Sequence, residues 1–135
     1  MNYTRLALAA VVAWVVSLIY TLAVVRWVLY DRIVDYPGVF RSAAAANANL
    51  PLWLGGTLLT MLAVAYLYAR GCQTTTRVFS GLGLGTVFGF IAVGATVSEY
   101  VSFNIGRRLA ALSAASAFLE CILIGLAISA VYRRT

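Results

Sequence analysis

Residues 81–104, GLGLGTVFGFIAVGATVSEYVSFN, form an apolar stretch with regularly spaced glycines and one carboxylate. Placing residues 79–103 on a helix brings the small and polar residues onto one face: Gly81, Gly85, Gly89, Ala92, Thr96, Glu99 and Phe103. Small residues at four-residue spacing let two membrane helices approach closely. We therefore predict that Gly81, Gly85 and Gly89 serve helix packing. A phosphate loop is the weaker interpretation, because no strand precedes these glycines.

The composition of the whole chain indicates a bilayer environment. Of its 135 residues, 63% are hydrophobic and 10% are charged, whereas soluble domains carry about 25% charged residues. A chain of this length cannot hide so much apolar surface in a water-soluble core. We predict a single all-α domain over residues 1–135, embedded in the membrane as a four-helix transmembrane bundle.

Four apolar segments account for this bundle, and each approaches or exceeds the ~20 residues that span a bilayer. The predicted spans are residues 6–25, 50–69, 79–103 and 109–131. Residues 26–49 are predicted to be an interfacial connection with a short surface helix over 39–47, and Asn49 is predicted to cap the second span.

The last two spans are separated only by the turn at residues 104–108, so they must be antiparallel neighbours. Ser113, Ser116 and Glu120 share one face of the fourth span, together with other small residues. We predict that this second stripe, with Ser113 and Ser116 as packing residues, faces either the glycine stripe or the bundle axis.

The net charge and the amino-acid composition limit the kinds of partner and cofactor that the protein can bind. The net charge is +6, all ten basic residues are arginines, and the chain has no histidine. The arginines lie at the predicted span ends, where they meet headgroups, so nucleic-acid binding is not expected. Without histidine we expect no metal and no cofactor. The usual general base is also missing, although a glutamate can serve as one, and we predict no catalytic residue. Cys72 and Cys121 are predicted to be small buried hydrophobic residues rather than a disulfide pair.

Two carboxylates lie in the predicted membrane region, at depths about 10 Å apart at 1.5 Å per helical residue. Glu120 is near the bilayer midplane, where a charge is costly, so we expect it to be neutral and bonded to hydroxyls. The expected partners are Thr96, Thr60, Thr21 or Tyr20. Glu99 lies one turn from its helix end, and we expect it to be ionised and paired with an arginine, with Arg26 as the candidate.

The segment Glu99–Arg108, EYVSFNIGRR, with Glu120, Gly125 and a terminal VYRR, resembles a group of uncharacterised four-helix bacterial integral membrane proteins. The segment YPGVFR at 36–41 with NANLP at 47–51 resembles the same group, and the layout is loosely similar to DUF1761-like proteins. The resemblance implies the fold and a location in the bacterial cytoplasmic (inner) membrane. It implies no particular activity.

Two functional hypotheses follow from these features. In the first, the protein is a non-enzymatic structural or accessory module that self-associates or joins a larger membrane complex. The alternative is a small proton-coupled transporter that uses Glu120, because intramembrane acids are functional candidates by default. The arginines divide five against five between the two sides, so they do not decide the orientation, and we weakly favour cytoplasmic termini.

Overall fold

The computed structural model of the chain describes residues 2–71 and 77–132. These residues form helices and turns without any strand. The helices are, in order, α1 (Tyr3–Val24), a π-helical turn (Val25–Leu29), α2 (Tyr30–Ile33), α3 (Ala43–Ala48), α4 (Leu50–Gly71), α5 (Arg77–Ser102) and α6 (Arg107–Val131). Within the described ranges, four segments are long and apolar enough to cross a membrane: Tyr3–Ile33, Leu50–Gly71, Val78–Ser102 and Arg107–Val131. The predicted all-α four-helix fold is confirmed, and the chain is an integral membrane protein.

The first helical segment is longer than the predicted span 6–25. It continues through the π-helical turn and α2 to Ile33, over 31 residues. The short surface helix forms over Ala43–Ala48 rather than 39–47, since Ser42 Oγ caps its first turn by accepting from Ala45 N–H at 3.3 Å. Asn49 does not cap α4 with its side chain. Its amide donates instead to the Ala45 carbonyl at 2.7 Å.

Helix α1 packs along both α6 and α4, and α6 packs along both α1 and α5, so α1 and α6 are the two inner helices. Helix α5 packs almost entirely on α6, and α4 has only marginal contact with α5 and α6 among the described residues. The spatial order is therefore α5, α6, α1, α4. The seam between α4 and α5 stays loosely packed.

A well-packed core lies at the end of the bundle where α1 begins and α6 ends. Alanines of α1 and α4 meet there with almost no exposed surface, and Tyr68 packs edge-on against Tyr132 with ring centroids 6.3 Å apart. The buried members of this core are Leu6, Ala9, Ala10, Ala13, Met61, Val64, Ala65, Tyr68, Ala69, Leu84, Ile124, Ile128 and Tyr132. Small side chains allow the helices to approach closely, and dispersion contacts then hold them together.

The glycines of α5 lie directly against α6. A Cβ atom on Gly85 would lie 2.6 Å from the Cys121 carbonyl oxygen and 2.7 Å from Ile122 Cα. Gly81 lies against Gly125 and Ser129 in the same way, and Gly89 lies under the ring of Phe118. The glycine stripe therefore meets the face of α6 that carries residues 118, 121, 122, 125 and 129. It does not meet the face of Ser113, Ser116 and Glu120.

At the opposite end of the bundle, the interfacial connection is tied to the turn between α5 and α6. The Tyr36 hydroxyl accepts a hydrogen bond from Gly106 N–H at 2.9 Å. Cys72, Arg133 and Arg134, for which predictions were made above, lie outside the described residues.

Candidate functional site around Glu120

Glu120 joins α6 to α1 through two hydroxyl groups. Its Oε1 atom accepts from Ser17 Oγ at 2.5 Å and from Thr21 Oγ1 at 3.1 Å. Ser17 is buried, and Glu120 is partly buried within the bundle. Hydrocarbon offers these hydroxyls no water as a hydrogen-bond partner, so they donate to the carboxyl instead.

Two further polar contacts from α1 lie on either side of this carboxyl. The Tyr20 hydroxyl donates to the Ser116 carbonyl oxygen at 3.0 Å, and Trp14 Nε1 donates to Thr57 Oγ1 of α4 at 2.9 Å. Helix α1 therefore supplies hydrogen-bond donors to both of its neighbours. These contacts hold the bundle together beyond the alanine-rich core.

The structure confirms only part of the predicted set of partners for Glu120. Thr21 is a partner, whereas Tyr20 bonds to the α6 backbone. Thr96 is buried but donates to its own helix at the Ala92 carbonyl, 3.0 Å away, and Thr60 donates to the Gly56 carbonyl at 3.0 Å. Threonine in a membrane helix readily bonds the carbonyl four residues earlier, and that local bond competes with contacts between helices.

The expected pair of Glu99 and Arg26 is wrong. Glu99 is exposed near the end of α5, and Arg26 lies in the π-helical turn with its guanidinium carbon 5.8 Å from the centre of the Tyr30 ring. The two residues belong to helices that are not neighbours, because α6 lies between α1 and α5. Neither Glu99 nor Arg26 joins the site around Glu120.

The Ser113 and Ser116 side chains do not reach another helix. The Ser116 hydroxyl donates to the Ser113 carbonyl at 3.1 Å, within α6, and both residues are partly buried. Ser116 contacts α1 through its backbone carbonyl oxygen, which accepts a hydrogen bond from the Tyr20 hydroxyl.

Glu120 also lines a cleft of about 210 Å³ between α4 and the α5–α6 pair. The cleft lies along the loosely packed seam, and its other walls are almost wholly apolar. They are formed by Thr60, Met61, Val64, Leu84, Gly85, Phe88, Ala92, Ala117, Cys121, Ile124 and Gly125. The site therefore places a carboxyl between a hydroxyl pair on α1 and an apolar space beside α4.

Ser17 and Trp14 were missed as site residues, although the sequence holds the signal. Trp14, Ser17 and Thr21 are three and four residues apart, so they share one face of a helix. A polar face on an otherwise apolar span is itself a sign of contact with another helix. Within the described residues, no three His, Cys, Asp or Glu side chains come together as a metal site requires.

Comparison of the chain with protein-family models, curated proteins and solved structures finds no match. The resemblance to four-helix bacterial membrane proteins therefore stays a prediction.

Proposed function

We propose that the protein is a non-enzymatic membrane module of the bacterial inner membrane that associates with itself or with a larger membrane complex. The observation that carries this proposal is the use of Glu120 as an acceptor between helices. Ser17 and Thr21 both donate to it from α1. A carboxyl engaged in this way contributes to assembly in the same manner as other polar contacts between membrane helices, at about 0.6–2 kcal/mol each.

The surface of α4 supports association with another helix. Gly55 and Gly56 are exposed and have no atom within 4 Å of an added Cβ, unlike the glycines of α5 that face α6. Adjacent glycines remove side-chain bulk, so a second membrane helix can approach the α4 backbone there.

A catalytic role has little support in the geometry. Cys121 follows Glu120 directly on α6, and neighbouring residues on a helix point about 100° apart. The hydrogen bonds of Glu120 go to Ser17 and Thr21 rather than to Cys121, whereas an activated thiol needs a base within hydrogen-bond reach.

Association can be tested on protein purified from its native membrane in a mild detergent, using light scattering coupled to size exclusion. We expect a homo-oligomer or a stoichiometric complex, and we expect Gly56→Leu to reduce it because the added side chain fills the approach surface of α4. Gly94→Leu is the matched control, since Gly94 of α5 is equally open. A monomer that carries no partner protein would contradict the proposed association.

A second candidate function, proton-coupled transport, is favoured by one observation: Glu120 lines the cleft along the α4–α5 seam. A carboxyl that faces such a space can exchange a proton as the space opens and closes. Proteoliposomes with an imposed pH gradient test this function. Flux that Glu120→Gln abolishes and Glu99→Gln preserves would support transport, and a sealed vesicle with no protein-dependent flux would exclude it.

A further inference from the structure

One oxygen of the Glu120 carboxyl, beside the cleft, has no hydrogen-bond partner among the residues that the structure describes. Both hydroxyls from α1 donate to Oε1, and no described residue is bonded to Oε2. Polar atoms in a region that excludes water are normally paired, because an unpaired one costs about 1–3 kcal/mol. Since Glu120 lines the cleft, an occupant of the cleft is positioned to supply the missing contact.

The walls of the cleft define what such an occupant can be. They offer one carboxyl, one aromatic ring at Phe88, one hydroxyl at Thr60 and the sulfur atoms of Met61 and Cys121, and the remaining surface is aliphatic. The Thr60 hydroxyl already donates to the Gly56 carbonyl, so it is available to a ligand mainly as an acceptor. These lining side chains therefore favour a ligand with a hydrogen-bond donor or a positive charge, and they offer no basic group to an anion.

Size sets the second limit. The cleft measures about 210 Å³, and an apolar protein cavity of about 150 Å³ is large enough to bind benzene. A molecule with one small ring or a short branched chain fits, whereas a complete phospholipid does not.

We propose that this cleft is a binding site for a small lipophilic amine in its ammonium form. Its N–H group donates to the Oε2 atom of Glu120, and its apolar body lies between Phe88 and the aliphatic wall. The neutral carboxyl expected at this depth gives its proton to the amine on binding, and the ammonium charge then offsets the cost of the carboxylate. A cation near an aromatic ring gains a further attraction. This inference goes beyond the proposed module and does not require transport.

Equilibrium dialysis with radiolabelled benzylamine tests the site on the full chain in a non-ionic detergent, with detergent alone as the background. We expect saturable binding by the wild type. Glu120→Gln, which keeps an acceptor for Ser17 and Thr21 but removes the charge, should weaken binding at least about tenfold. Glu99→Gln is the matched control, because Glu99 lies outside the cleft, and it should bind as the wild type does.

A second variant tests the cleft without removing the carboxyl, and an uncharged competitor tests it on the wild type. Ala92→Leu fills the cleft from α5 and keeps the carboxyl, so it should also weaken benzylamine binding. Benzyl alcohol, which has the same ring without the charge, should compete poorly. The proposal is overturned if the wild type shows no saturable binding, if either cleft variant binds like the wild type, or if benzyl alcohol competes as well as benzylamine. These outcomes do not depend on oligomer size, which tests the module separately.

Discussion

At the scale of single residues, the hydrogen-bond partners of Glu120 were only partly predictable from the sequence. Its depth in the membrane and its hydroxyl environment follow from its position in an apolar span, and Thr21 was expected as a partner. Ser17 was not expected, and Thr96 was wrongly included. Which hydroxyl reaches a carboxyl on another helix depends on the rotation of both helices, and one helix alone does not determine that rotation.

The contact between Ser17 and Glu120 can be measured by a double-mutant cycle with Ser17→Ala and Glu120→Ala. We expect a coupling energy of about 0.6–1.7 kcal/mol, because the hydrogen bond joins two helices in hydrocarbon. Unfolding by sodium dodecyl sulfate in mixed micelles gives the free energies. The cycle of Ser17→Ala with Glu99→Ala should show no coupling, and equal coupling in both cycles would contradict the geometry.

At the scale of the helices, the glycine stripe of α5 packs against α6 as close contact requires, and α1 joins this pair to α4. The glycines mark the interface of α5 with α6, whereas α1 packs on α6 and α4 through Ala9, Ala13 and its polar face. Alanines at four-residue spacing permit nearly the same close approach as glycines, and they are less conspicuous in an alanine-rich sequence.

The packing of α5 on α6 predicts different outcomes for two neighbouring glycines. Gly85→Ala should destabilise the protein by about 1–3 kcal/mol, because the new methyl group overlaps backbone atoms of α6 that cannot move aside. Gly83→Ala is the matched control, since no atom lies within 4 Å of its added Cβ. Thermal unfolding in detergent compares the two variants, and equal stability would contradict the observed interface.

At the scale of the whole molecule, three interfaces hold four spans, and one seam stays loose. The α4–α5 seam has only marginal contacts, which leaves the Glu120 cleft bordered by three helices. A bundle arranged in this way is more open than the closed bundle that four apolar spans by themselves predict.

The four-span topology makes a direct prediction about sidedness. Single cysteines at Asn2 and at Ala45, each in a Cys72→Ala and Cys121→Ala background, should label from opposite sides of the membrane, because only the first span lies between them. Impermeant maleimide applied to intact cells and to inverted vesicles measures this, and we expect Ala45 to be the outer site. Labelling of both positions from the same side would contradict the fold. Labelling of each from both sides would show insertion in two orientations.

The sequence by itself determined the solvent and the number of crossings, because apolar length and charge depletion are summed along the chain and need no partner. It also determined which residues of α5 are small enough for close contact. The tertiary structure decided the order of the four helices, which hydroxyls reach Glu120, and that Glu99 and Arg26 do not pair. Those features depend on the order and rotation of helices around one another, and many weak contacts distributed over the whole bundle set that arrangement.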